Sequence, residues 1–218
     1  MSTCLRPLRR AASLFLAAAS ALALAACVSA PDGSSAPDGS PVPPSTVPSD
    51  AVGVLPAPGR TIDAAPPETG DLSGYSIAVL IPDDTEASQT LLDATRAFAD
   101  ASGAELEEFP ADPAGDDPVG DALASAVAAD ADLVVGLGEG VVGVFDVETG
   151  KILDQQVLVV GGQLAEPTEN VTAVIWPGAT SREPADDGSV TSQRGIDALG
   201  TGIESIRAGL TGVVLSLG

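Results

Sequence analysis

The sequence contains no histidine and only two cysteines, Cys4 and Cys27. Histidine is the side chain used most often as a general base and as a metal ligand, so every Ser-His-Asp arrangement is excluded. The first cysteine lies in a segment that we expect to be removed on export. The mature chain then has no cysteine pair, which excludes disulfides, and we expect neither thiol catalysis nor a cysteine-rich metal site.

Positive charge is also scarce. The sequence has nine lysines and arginines and 31 aspartates and glutamates, which gives a net charge of −22. A surface of this kind repels nucleic acid and anionic lipid, so neither is an expected ligand. We interpret the acidity chiefly as a solubility feature of a secreted protein. The Ala-, Gly-, Pro- and Asp-rich, Lys-poor usage resembles that of proteins from high-GC actinobacteria.

The N-terminus has the pattern of an export signal. Three arginines within the first ten residues precede an apolar run, residues 11–26, that ends at Cys27. A basic region, a short apolar region and small residues before a cleavage site are typical of a secretory signal peptide. The run is shorter than the roughly 20 apolar residues that a membrane-spanning helix needs. We therefore predict that residues 1–26 are a signal peptide.

The four residues Leu24–Cys27, LAAC, resemble the lipobox of bacterial lipoproteins. The resemblance implies that the Cys27 thiol is acylated and that the chain is cut just before it. Lipid on Cys27 would then hold the protein in the cell membrane on its extracytoplasmic side, with the bilayer as its first partner. The alternative is an ordinary signal peptide that happens to end at a cysteine.

The mature chain divides into two parts of different composition. Residues 27–73 are rich in Pro, Ser, Asp and Gly and cannot bury enough apolar surface to fold, so we predict a disordered tether. Residues 74–218 alternate short apolar runs with amphipathic segments. The six predicted strands are Tyr75–Ile81, Glu105–Phe109, Asp132–Leu137, Gln156–Gly161, Val171–Trp176 and Gly212–Leu217.

Four helices are predicted between these strands. The first is capped by Asp84 or Thr85, the second contains Val119, the third covers Val141 to Val147, and the last runs from Ser192 to Gly209. Continuous Val/Leu/Ile strands that alternate with amphipathic helices indicate a parallel sheet covered on both faces. The predicted fold is a single α/β domain, a three-layer sandwich of the flavodoxin- or Rossmann-like kind.

Ligands of open α/β sheets bind beyond the carboxyl ends of the strands. This rule gives a set of candidate ligand-binding residues at the predicted strand ends: Asp83, Asp84, Gly138, Glu139, Gly162, Gln163 and Trp176. Trp176 could stack on a flat ring or a sugar, with core packing as the alternative. The two aspartates could seat a divalent cation or could cap the following helix.

The segment from Gly138 to Gly143 matches the pattern GxGxxG between a predicted strand and a predicted helix. A dinucleotide site needs this turn to receive a pyrophosphate on backbone amides, and the charge of Glu139 would face those phosphates. We therefore interpret the glycines as a turn for tight helix–sheet packing. No cofactor and no metal site is predicted.

Three strings, Ala131–Gly138, Gln156–Gly162 and Asn170–Ile175, resemble the first lobe of basic-membrane-protein-type substrate-binding lipoproteins, which belong to the periplasmic-binding-protein type I group. In that family two lobes close over a nucleoside or similar small polar solute and deliver it to an ABC importer. The resemblance implies a single lobe of this kind here, with Asp83, Asp84 and Gly138 near the ligand. A partner protein could supply the second lobe.

Two function classes remain open, and neither is an enzyme. The first is a solute-binding module, which a cavity of a few hundred cubic ångströms at the strand ends would favour. The second is a non-catalytic structural or interaction lipoprotein of the cell envelope without a ligand. An exposed apolar face would favour that second class.

Overall fold

The computed structural model describes residues 58–67 and 70–218, so the predicted signal peptide, Cys27 and most of the predicted tether lie outside the described residues. The strands are β1 Thr61–Ala64, β2 Ser76–Ile81, β3 Glu105–Pro110, β4 Leu133–Leu137, β5 Val157–Val160, β6 Val171–Ile175 and β7 Val214–Leu217. The helices are α1 Glu86–Ser102, α2 Pro118–Ala128, α3 Val142–Glu148 and α4 Ser192–Arg207. Within these ranges no helix combines the length and apolar character needed to cross a bilayer.

All seven strands are parallel and form one sheet in the order β1-β7-β6-β5-β4-β2-β3. The inner strands β4, β5 and β6 are buried along their whole length, because their Val- and Leu-rich sequences are covered on both faces. Helices α1 and α4 pack together on one face, and α2 and α3 cover the other. The predicted three-layer α/β fold is confirmed.

The order of the strands determines where a site can form. Strand β2 pairs with β3 on one side and with β4 on the other, so the chain changes its direction across the sheet at this point. This is the flavodoxin-like arrangement, in which ligands bind at the carboxyl ends of the strands beside the switch. We call the rim formed by the ends of β2, β4, β5 and β6 the carboxyl edge, and the opposite rim the amino edge.

Strand β1 corrects the predicted start of the domain. Residues 61–64 were expected to belong to the tether, but they pair in parallel with β7 at the edge of the sheet. The Gly59 amide donates to the Gly212 carbonyl at 2.6 Å, and the Val214 amide donates to the Arg60 carbonyl at 2.9 Å. Prolines on both sides of this four-residue strand give the segment the composition of a linker, while Thr and Ile favour an extended backbone. The folded part therefore begins before Gly74.

Helix α1 begins and ends as its sequence predicts. Thr85 is the N-cap, and its hydroxyl accepts a hydrogen bond from the Ser88 amide at 3.3 Å. Gly103 ends the helix with a φ of 78°, a left-handed conformation that glycine adopts at little cost. Because α1 begins at Glu86 and β2 ends at Ile81, the first turn of α1 follows the carboxyl end of β2 after four residues.

Candidate functional site

A long loop lies over the carboxyl edge. It comprises residues 177–191, between β6 and α4, and we call it the cover loop. Trp176 and Ala179 form an antiparallel bridge at its start, and the Asp186 amide donates to the Gly178 carbonyl at 2.9 Å. The loop thus folds back on itself above the ends of the central strands.

Asp83 is engaged in the start of α1. Its carboxylate accepts hydrogen bonds from the Thr85 hydroxyl and the Ser88 hydroxyl, each at 2.6 Å, and from the Thr85 amide at 3.1 Å. Burial opposes the ionisation of Asp83, but these hydrogen bonds from Ser88 and Thr85 outweigh it and hold its pKa below the usual value. Asp84 is exposed at the surface. The structure therefore favours the helix-capping interpretation for Asp83 over a role in ligand binding.

The glycines after β4 allow close backbone packing. Gly138 has a φ of 71°, and its amide donates to the Val160 carbonyl at 2.8 Å. A side-chain carbon at Gly140 would lie 2.8 Å from Pro82, and one at Gly162 would lie 2.7 Å from the Gly138 carbonyl. Both separations are shorter than carbon atoms tolerate. Among the glycines of the GxGxxG pattern, Gly140 thus fits the packing interpretation, whereas a side-chain carbon at Gly143 would meet nothing within 4 Å.

Glu139 and Gln163 are brought together through a residue that the sequence did not single out. The Ser181 hydroxyl donates to the Glu139 carboxylate, and the Ser181 oxygen accepts a hydrogen bond from the Gln163 amide at 2.9 Å. Ser181 has a φ of 58°, a left-handed conformation that is uncommon outside glycine. These contacts connect the ends of β4 and β5 to the cover loop. Ser181 follows Glu139 by 42 residues, so no local pattern could have revealed the contact.

The side chain of Gln163 is buried, with 6% of its surface exposed. Only its backbone amide takes part in a hydrogen bond with the described residues, and its side-chain amide has no protein partner there. Buried polar groups in proteins are nearly always hydrogen-bonded to protein or to water. An amide group in this position has both a donor and an acceptor available for a bound molecule.

Three clefts surround the cover loop. The acidic cleft, of about 430 Å³, is lined mainly by Glu139, Asp146, Gln163, Glu166, Ser181 and Arg182. The β1 cleft, of about 400 Å³, is lined by the cover loop, the start of β1 and the end of β7, and it shares Gln163 and Arg182 with the acidic cleft. The inner cleft, of about 230 Å³, lies against Gly161 and the first turn of α1. All three open at the predicted edge of the sheet.

Trp176 packs in the core and does not present its ring to a ligand. Its side chain is fully buried below the β1 cleft, with 0% of its surface exposed. The indole nitrogen donates to the carbonyl and the hydroxyl of Ser189 at 3.2 and 3.3 Å. Because the cover loop closes over the ring, no face is left for a solute to stack on. The prediction of Trp176 as a binding residue is corrected to core packing.

A further groove lies away from the carboxyl edge, between α2 and the end of α3. It has a volume of about 430 Å³ and is lined by Leu123, Val127 and Ile152, with acidic residues at its rim. Two large apolar side chains near it, Val147 and Leu153, are 62% and 60% exposed. The groove and these two exposed side chains are the apolar surface features that would favour the second function class.

No protein-family model matches the chain, and no curated protein matches it in sequence. Among solved structures, the chain is similar to ABC transporter solute-binding proteins from Aeropyrum pernix (15% identity, 48% of this chain, TM-score 0.42) and Conexibacter woesei (17%, 47%, 0.40). It is also similar to a fragment assigned as a lipoprotein from Peptoclostridium difficile, with 11% identity over 62% of this chain, 98% of the fragment and a TM-score of 0.44. The chain spans only 29% and 35% of the length of the two solute-binding proteins.

Proposed function

We propose that this protein is a lipoprotein, anchored to the extracytoplasmic side of the cell membrane through Cys27, whose α/β domain binds a small polar solute. The observation that carries the binding proposal is the buried Gln163 side chain, whose amide has no partner in the described part of the chain and which lines two clefts of 400–430 Å³. Clefts of this size with a few convergent polar groups suit small ligands.

The finer parts of the proposal come from the resemblance seen in the sequence. It points to a nucleoside or similar solute, to delivery to an ABC importer, and to a second lobe supplied by a partner protein. The acidic lining argues against a nucleotide, because carboxylates repel phosphate. It suits hydroxyl groups and amines, which donate hydrogen bonds to carboxylate oxygens.

Binding is proposed rather than catalysis. Ser181 and Glu139 form a hydroxyl–carboxylate pair at the edge. A serine hydroxyl is a weak nucleophile unless a strong general base activates it, and the sequence contains no histidine to do so. The pair therefore serves to hold the cover loop against the ends of β4 and β5.

Native mass spectrometry of the full chain, purified from its own host in mild detergent, tests the proposal. We expect a population that carries a non-covalent small molecule in addition to the lipid on Cys27. Ala165→Trp places an indole in the acidic cleft and should remove that molecule. Ala101→Trp, at an exposed position near the end of α1, should retain it. A wild-type chain without any bound molecule, or one that keeps it equally in both variants, would contradict the proposal.

The groove between α2 and α3 supports a second candidate, an interaction lipoprotein. Exposed Val147 and Leu153 beside an apolar groove are unusual on a domain with so much acidic surface. This candidate predicts that one host protein copurifies with the wild-type chain and is lost in Leu153→Asp. The solute-binding proposal predicts that Leu153→Asp leaves the bound molecule unchanged.

A further inference from the structure

The residues around the acidic cleft define the chemistry of the solute more closely, and this inference rests on the proposed binding function. Three carboxylates, those of Glu139, Asp146 and Glu166, line the cleft. They come from three places in the chain: the turn after β4, helix α3, and the connection between β5 and β6. Their convergence therefore results from the fold and not from an acidic run in the sequence.

Each of these carboxylates keeps at least one oxygen for a ligand. One oxygen of Glu139 accepts the Ser181 hydroxyl, and one oxygen of Asp146 accepts the Ala165 amide at 3.1 Å. Neither the two remaining oxygens nor the carboxylate of Glu166 has a hydrogen-bond donor among residues 58–67 and 70–218. The ion pairs in this part of the chain involve only Arg96 and Lys151. The cleft thus collects three negative charges without a paired cation.

Gln163 is the independent sign that a molecule binds here. Its side chain is 94% buried and lines the same cleft, and it has no protein partner for its amide in the described ranges. Its amide atoms are not among the fully buried unpaired atoms of the described residues, so the small exposed part of this side chain faces a cleft. Water in an empty cleft can hydrogen-bond to this amide, and a solute can replace that water.

Arg182 provides the one positive charge at this cleft. Its guanidinium donates a single hydrogen bond, to the Ala165 carbonyl at 3.4 Å, which leaves its other donors free for a ligand. The three carboxylates exceed this charge, so the cleft attracts cations overall. Arg182 can still donate hydrogen bonds to the carbonyl, hydroxyl or carboxylate end of a molecule whose other end is positive.

We propose that the acidic cleft binds a small solute through its protonated amine, with Glu139, Asp146 and Glu166 around the ammonium group. Gln163 contacts the adjoining part of the solute, and Arg182 faces its far end.

Four solutes with the same four-carbon chain separate the contribution of each end group: 1,4-diaminobutane, 4-aminobutanoate, 1,4-butanediol and succinate. Isothermal titration calorimetry is performed on the full chain in detergent, after exchange to remove any solute carried from the host. We expect the diamine and the amino acid to bind at least tenfold more tightly than the diol, and succinate to bind least. Glu166→Gln should weaken binding of the amines about tenfold, the loss expected for one charge-assisted hydrogen bond.

Glu107→Gln is the matched control, because Glu107 is an exposed glutamate on β3, outside the cleft, and its replacement removes the same charge. It should leave the affinities unchanged. Three results would overturn the inference about the amine: tighter binding of the diol or of succinate than of the amines, equal weakening by both variants, or no binding of either amine. Native mass spectrometry of the molecule retained from the host tests the proposed function separately. If that molecule has no amine, the binding function stands and amines are excluded as the class of ligand.

Discussion

Two buried side-chain amides, Asn170 at the amino edge and Gln163 at the carboxyl edge, behave in opposite ways. The Asn170 amide group donates to the carbonyls of Thr149, Ile152 and Gln155 at 3.0 to 3.3 Å, and its oxygen accepts the Thr168 hydroxyl at 2.6 Å. The side-chain amide of Gln163 makes none of these contacts with the described residues, although it is almost equally buried. Asn170 thus serves the fold, whereas the Gln163 amide faces a cleft at the carboxyl edge. The amino edge is not fully satisfied either, because the side-chain oxygen of Gln156 there is buried without a hydrogen-bond partner in the described residues.

Two carboxylates, one at each edge, repeat this difference. At the amino edge, Asp132 accepts the Ser76 amide at 2.8 Å and the Ser76 hydroxyl at 2.7 Å. These hydrogen bonds, the backbone one first, hold the pKa of Asp132 below its usual value. At the carboxyl edge Glu166 has no such partner within the described residues. Asp132 is therefore structural, as Asp83 is at the carboxyl edge, whereas Glu166 keeps both of its oxygens without a donor in the described residues.

Trp176→Ala should produce the largest effect, because Trp176 belongs to the core even though it lies at the carboxyl edge. Removing a fully buried indole leaves a cavity, and we expect a loss of about 3–5 kcal/mol in the free energy of unfolding. Urea denaturation monitored by circular dichroism measures this change. Trp176→Phe should cost less because the ring is partly replaced. A loss below about 1 kcal/mol for the alanine variant would mean that the ring is a ligand platform after all.

Asn170→Ala should be the next most damaging change. It removes the two N–H donors that three carbonyls share and the acceptor of the Thr168 hydroxyl. The Thr149 and Ile152 carbonyls keep backbone donors, but the Gln155 carbonyl loses its donor, which predicts a loss of about 2 kcal/mol. Denaturant unfolding again provides the measurement. Asn170→Asp should be no better than alanine, since a carboxylate cannot donate to carbonyls. If solute binding also fell while the fold persisted, the distinction between the two edges would be wrong.

Asp83→Asn should reduce the free energy of unfolding by about 1 kcal/mol at neutral pH, because the charged acceptor at the start of α1 is lost. The pKa of Asp83 is lower in the folded than in the unfolded state, so its contribution is present above about pH 3.9 and is lost as the pH falls through the folded-state value. The difference in the free energy of unfolding between the two proteins, measured from unfolding curves, should therefore be smaller at pH 3 than at pH 7. If the difference in the free energy of unfolding were the same at both pH values, the contribution of Asp83 would not be electrostatic.

Gln163→Met should have the smallest effect on stability, within about 0.5 kcal/mol, because the replacement has a similar shape and the lost amide bonds to no protein group in the described ranges. The same variant should lower the affinity for 4-aminobutanoate about tenfold. Calorimetry and denaturant unfolding on one preparation measure both quantities. A destabilisation as large as that of Asn170→Ala would show that Gln163 is a structural residue.

The central strands could be predicted from the sequence because each is a short run of buried β-branched or leucine residues, as in Val157–Val160. Strand β1 could not, since its neighbouring prolines give it the composition of a linker. At the candidate site, Glu139 and Gln163 lie at the carboxyl edge, where the strand-end rule placed them, and their role in binding stays a prediction. The rule could not distinguish Asp83, whose carboxylate binds its own helix, or find Ser181 and Arg182, which reach the edge through the fold of the cover loop.

Backbone amide chemical shifts of the full chain, recorded by nuclear magnetic resonance during titration with 4-aminobutanoate, test most directly whether the carboxyl edge is the binding surface. The account predicts shifts concentrated at Glu139, Asp146, Gln163, Glu166 and Arg182, with Ser76, Asp132 and Asn170 unchanged. Shifts centred on the amino edge or on the groove between α2 and α3 would contradict it.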